Sequence, residues 1–82
     1  MKKYMAVDSI TGESACFSVG DGVNEKMLKR AFAEKLIWIS WFKKGMVDAD
    51  EGIDCIRKDL SMYSNFLEEV ENKIDDINIK AC

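Results

Sequence analysis

The segment Ile53–Ile77, IDCIRKDLSMYSNFLEEVENKIDDI, decides how this chain is read. Ile53, Ile56, Leu60, Tyr63, Leu67, Val70, Ile74 and Ile77 recur in it at alternating steps of three and four. That is the spacing of a heptad seam over about three and a half repeats, and it predicts one long amphipathic helix. Asp48 stands where a helix would begin, Glu51 completes a capping box with it, and Asp50 adds charge favourable to the helix dipole. The expected helix therefore runs over 48–77, ~45 Å at 1.5 Å per residue.

Upstream, Gly20-Asp21-Gly22-Val23 interrupts the chain, Asn24 is a good N-cap, and Gly45 a good terminator, which predicts a first helix over 24–44 of ~30 Å. At 100° per residue, Met27, Leu28, Ala31, Phe32, Trp38, Ile39, Phe42 and Met46 share one face, which is expected to form the core. Lys35 falls near the middle of that face, its stem expected along the core with its head reaching out. Ile37 and Trp41 fall outside it, beside Arg30, Glu34 and Lys44. Gly45-Met46-Val47 is too short a connection for anything but a helical hairpin. From 24 to 46 six basic residues less two acidic give +4, and from 48 to 80 four basic less ten acidic give −6. Attraction between the two segments therefore favours their antiparallel pairing, although exposed pairs contribute at most ~1 kcal/mol each.

Residues 3–19 read as a β-hairpin. Met5 and Val7 alternate with Tyr4, Ala6 and Asp8, while Ala15, Phe17 and Val19 alternate with Ser14, Cys16 and Ser18. Asp8-Ser9-Ile10-Thr11-Gly12-Glu13 is the turn, with Gly12 suited to a left-handed position. Met5, Val7, Phe17 and Val19 would then need a helix or further strands to lie against. The expected fold class is α+β, a single domain over 1–82: an N-terminal β-hairpin followed by an antiparallel helical hairpin with a long heptad-patterned C-terminal helix, ββαα.

Composition narrows the function classes. At 82 residues a single core supplies only about 3 to 5 kcal/mol, so association with another chain is a natural supplement. A hydrophobic content of 48% with 33% charged residues suits a folded domain, and the absence of proline suits long helices. Cys16, Cys55 and Cys82 have no CxxC spacing and the chain has no histidine, so free thiols and no metal site are expected. No histidine base, nucleophile elbow or phosphate loop is present, and Gly20-Asp21-Gly22 lacks the third glycine and lysine such a loop needs. Neither an enzyme nor a cofactor or small-molecule substrate is expected. Lacking an apolar run long enough for export or membrane insertion, the chain is expected to reside in the cytoplasm.

What remains is a mismatch of reach. The longer helix leaves seam positions uncovered, which predicts docking to another protein or a second copy through Phe66, Val70, Ile74 and Ile77, with Ile37 and Trp41 on the first helix. The expected function is a small protein-binding module, a regulator, adaptor or inhibitor. Two rival uses are weighed beside it: a nucleic-acid or membrane-surface binder acting through Lys26, Lys29, Arg30, Lys43 and Lys44, and an acidic mimic of nucleic acid using Asp54, Asp59, Glu68, Glu69, Glu71, Asp75 and Asp76. In size, lack of proline and richness in Lys, Ile, Asp and Met the chain resembles accessory proteins of large bacterial viruses, a resemblance that implies inhibition of a host or viral protein.

Overall fold

A computed structural model describes residues 2–47 and 54–81. The elements are β1 (Lys2–Asp8), β2 (Ser14–Val19), α1 (Glu25–Lys43), α2 (Asp54–Arg57), α3 (Leu60–Ile74) and β3 (Ile77–Ala81). The three strands form one antiparallel sheet in the order β2-β1-β3. The class is α+β, with α1 lying on the sheet and α3 packed beside α1. The expected capping box at Asp48 and the seam residue Ile53 lie outside the described residues.

The hairpin forms where its alternation and turn place it. Gly12 takes φ +79° and its N–H donates to the Asp8 carbonyl at 2.8 Å, a conformation in which a side chain would be strained. On β2 the inward face is the expected one, with Ala15 and Phe17 against the core, whereas on β1 it is reversed. Tyr4 lies opposite Phe17 and Ala6 opposite Ala15, whereas Met5 is paired with Cys16 and Val7 with Ser14 on the outer face. A strand shifted by one residue exchanges its two faces, and here Ala6 and Asp8, both fully buried, look inward.

In α1, the Asn24 side chain accepts the Met27 N–H at 2.9 Å. At the other end the Gly45 N–H reaches the Phe42 carbonyl and the Met46 N–H the Trp41 carbonyl, both at 3.0 Å, with Gly45 at φ +75°. This is a Schellman closure, and it needs the left-handed glycine. The helix is rotated from the expected face and not reversed: Leu28 and Phe32 of that face are buried and Trp38 packs against the core, while burial extends onto Ala33 and Trp41. Phe32, Ala33 and Trp41 are buried, Leu36 and Ile37 pack against them, and Met27, Phe42 and Met46 stay about half exposed. Small Ala33, fully buried, lets the helix sit close to a sheet whose own inward residues include Ala6 and Ala15.

The continuous heptad helix is replaced by shorter elements. Asp59 is extended (φ −107°, ψ 107°), and its carboxylate accepts the N–H groups of Ser61 and Met62 at 3.1 Å, so a new helix starts there. Leu60, a seam position, is consequently 82% exposed. Helix α3 ends at Ile74, and Ile77-Asn78-Ile79-Lys80-Ala81 pairs with β1, Asp8 opposite Ile77 and Ala6 opposite Ile79. The interval between Ile74 and Ile77 thus belongs to a turn, and the period changes from 3.6 to 2 at Asp75-Asp76. With 15 residues α3 is shorter than the 19-residue α1, which removes the mismatch of reach.

Ala6, Phe32, Ala33, Trp41, Val47, Ile56, Phe66, Val70 and Ile77 make one core. Trp41 meets Phe66 edge-on at 5.4 Å, and Phe17 meets Phe32 in the same manner at 6.2 Å. This arrangement predicts opposite outcomes for two apolar residues of one helix. Phe66→Ala should cost about 3 to 5 kcal/mol in chemical denaturation, whereas Leu60→Ala should change stability by no more than about 0.5 kcal/mol. Comparable losses at both positions would contradict the break at Asp59.

Candidate functional site

The residues expected to dock a partner are used by the fold. Trp41, Phe66, Val70 and Ile77 are at most 1% exposed, and Ile37 and Ile74 are half-buried against the same core. In the single chain this set packs among the sheet, α1 and α3. The Trp41 indole N–H donates to the Glu69 carboxylate at 2.5 Å, which supplies the polar partner a buried indole needs.

The apolar surface lies instead on the solvent side of α1. Met27, Ala31, Trp38 and Phe42 fall within about 60° of one another on the helix, and Met46 follows just beyond its end. Met27 is 52% exposed, Phe42 45% and Met46 46%. Trp38 and Phe42, one turn apart, stack with parallel rings at 5.8 Å, so the half-exposed Phe42 lies against an indole that is itself partly buried against the core. A shallow hollow of about 300 Å³ lies on the N-terminal side of Trp38, lined by Ala31, Glu34, Lys35 and Trp38. The Trp38 indole N–H is buried and has no acceptor among the described residues. Of the face expected to form the core, Leu28, Phe32 and Trp38 reach it and Met27, Ala31, Phe42 and Met46 do not, a division that periodicity does not set because α1 is apolar on two sides.

A second group of polar residues was not singled out from the sequence. Asp8 is fully buried, and its carboxylate accepts the N–H groups of Ile10 and Thr11 at 2.8 and 3.3 Å and lies 2.5 Å from the Lys73 ammonium. Burial alone would raise the Asp8 pKa, but the Lys73 contact and the two loop N–H groups outweigh it and bring it down to about 2. The Ser9 N–H and hydroxyl both reach the Asp76 carbonyl, at 2.9 and 2.8 Å, and tie the hairpin turn to the α3–β3 turn. A hollow of about 360 Å³ opens next to this pair, bordered also by Thr11, Leu36, Ser40, Lys43 and Lys44. Since the buried charges answer each other, the pair is a structural tie.

The acidic residues are partly engaged within the chain as well. Glu71 pairs with Arg30 at 2.7 Å, Arg30 also meets Glu34 at 3.3 Å, Glu69 serves Trp41, and Asp59 caps α3. The hydrogen bond that Arg30 donates to the Glu71 carboxylate raises the Arg30 pKa, against the opposing effect of burial. Among the described residues no group of three histidine, cysteine or acidic residues is placed to hold a metal ion, and no helix is long and apolar enough to cross a membrane. Comparison with protein-family models, curated proteins and solved structures finds no match to this chain.

The Asp8 pair has a signed pH dependence. Its folded pKa is depressed from 3.8 to about 2, so its stabilisation is present above the ordinary value and lost as pH falls from about 4 towards 2. Asp8→Asn should therefore cost roughly 2 kcal/mol near pH 7, and the gap between variant and parent should narrow below about pH 3 in denaturant titrations. A gap independent of pH would remove the ion pair from this account.

Proposed function

We propose that this chain is a small non-enzymatic protein-interaction module, a regulator, adaptor or inhibitor, that docks through the solvent side of α1. One observation carries the reading: Phe42, stacked on the partly buried Trp38, is about half exposed, as are Met27 and Met46, beside a hollow that Ala31 helps to line. Aromatic and methionine side chains grouped this way form the centres of protein interfaces, and ordering a pair that already stacks costs little conformational entropy on binding. Of the basic residues weighed for a nucleic-acid or membrane-surface role, Arg30 is already held by two carboxylates. Glu69, Glu71 and Asp59 likewise have tasks inside the chain, which weakens the acidic-mimic alternative.

A photo-crosslinking amino acid at Met27 or Ala31, introduced in living cells, tests the docking face. Discrete protein adducts are expected from those positions and not from a probe at Lys58, and Phe42→Ser should reduce them at least about tenfold while changing the melting temperature by only a few degrees. Equal labelling from Met27, Ala31 and Lys58, or labelling indifferent to Phe42, would reject this face.

A further inference from the structure

We propose that the hollow between the hairpin turn and the C-terminal half of α1 binds a small amphipathic anion, a carboxylate or phosphate monoester carrying a short apolar chain. The hollow measures about 360 Å³, at the lower end of the ~300–1,000 Å³ of small-molecule sites and far more than a lone inorganic ion fills. It lies on the side of α1 opposite Met27, Ala31 and Phe42, so it is separate from the docking face and stands or falls without it.

Along α1 the wall grades from apolar to cationic. Leu36 and Ile37 come first, Ser40 follows about one turn on, and Lys43 and Lys44 about one turn after that, ~12 Å from end to end at 1.5 Å per residue. Positions 43 and 44 are the i+3 and i+4 neighbours of Ser40, so a hydroxyl and two ammonium groups border one spot. Neither lysine has a carboxylate partner among the described residues. Nor are they needed to close the helix, because the carbonyls of Ser40, Trp41 and Phe42 already accept the N–H groups of Lys44, Met46 and Gly45. Elsewhere in the wall, Asp8 is answered by Lys73 and by the N–H groups of Ile10 and Thr11. Two unanswered lysines less the one unanswered carboxylate, Glu13, leave the hollow at +1.

This lining selects its ligand. An inorganic anion would use the lysines and leave Leu36 and Ile37 wet, whereas a neutral apolar molecule would desolvate the hydroxyl and the ammonium groups without answering them. A head group at Ser40, Lys43 and Lys44 with a tail along Leu36 and Ile37 satisfies both ends. A polyanion would also meet the rest of a chain of net charge −3, while a small anion meets only the local positive spot.

Chemical-shift titration of the isotope-labelled full chain with hexanoate, hexyl phosphate, hexylammonium, hexanol and inorganic phosphate tests the site. Both hexyl anions are expected to bind saturably with dissociation constants of about 1 mM or below, moving the amides of Leu36, Ile37, Ser40 and Lys44, and the tighter of the two identifies the head group. Hexylammonium, hexanol and inorganic phosphate should each bind at least about fivefold more weakly, and anion binding should weaken as salt rises. Lys43 and Lys44 are exposed, so Lys43→Glu with Lys44→Glu should leave the circular dichroism unchanged, weaken hexanoate at least about tenfold and reverse the preference in favour of hexylammonium. No saturable shift up to about 10 mM of either hexyl anion overturns the proposal. So does inorganic phosphate binding as tightly as hexyl phosphate, which marks an adventitious ion only, or hexanol binding as tightly as hexanoate, which marks an apolar hollow with no charge preference. Shifts gathered at Met27, Ala31 and Phe42 overturn it by placing the hexyl chain on the docking face, and so does a double variant whose affinity for hexanoate is that of the parent.

Discussion

A buried carboxylate and the ammonium that answers it organise this molecule. Asp8 closes β1 in a position with no exposure to solvent, where an unanswered charge would be prohibitive, and Lys73 reaches it from the last turn of α3. The pair fixes which way β1 faces: with Asp8 inward, Ala6 and Tyr4 are inward too, and Met5 and Val7 are turned to the outer side. It also sets where α3 must end relative to the hairpin, and the two Ser9 bonds to the Asp76 carbonyl hold the same junction from the neighbouring residue. From there the chain can only continue beside β1, which is where Ile77–Ala81 adds the third strand.

That placement decides how α1 is used. The sheet offers small inward side chains at Ala6 and Ala15, so a helix can approach closely where its own residues are small, and Ala33 meets that condition. Trp41 on the same side fits between α1 and α3 because Glu69 accepts its N–H and Phe66 receives its ring. The opposite side carries Met27, Ala31, Trp38 and Phe42 together with the charged Glu34 and Lys35. The core took the side without those charges, and Met27 and Phe42 were left about half exposed.

Much of this was legible in the residues, and the rest was hidden for specific reasons. The caps Asn24 and Gly45 and the left-handed Gly12 are local devices, so their chemistry fixes backbone geometry without reference to the rest of the chain. The face of α1 and the face of β1 are tertiary choices: both helix sides satisfy a helical period, and both strand faces alternate, so the decision came from Ala33, Trp41 and the Asp8–Lys73 pair. Two signals were available and misjudged. Asp59 is a strong N-cap residue in the middle of the supposed long helix, and Ile77-Asn78-Ile79 alternates as a strand does. The seam absorbed both because Ile74 and Ile77 are three apart, a spacing that a helix and a turn into a strand can share. Met27, Ala31, Phe42 and Met46 were visible as part of an apolar face, and only the fold could tell that they are exposed while Trp38 of the same face packs against the core.

The strand order has a kinetic corollary. The central strand is built from residues 2–8, but one of its two neighbours is built from residues 77–81, so the sheet joins segments separated by almost the whole described chain. The hairpin can form early, from local contacts alone, yet Ala6 and Asp8 keep one flank open until the far segment arrives. During synthesis, then, the molecule waits with a half-made sheet. Lys73 and β3 come off the ribosome within a few residues of each other, so neutralisation of the buried acid and completion of the sheet fall in the same final step.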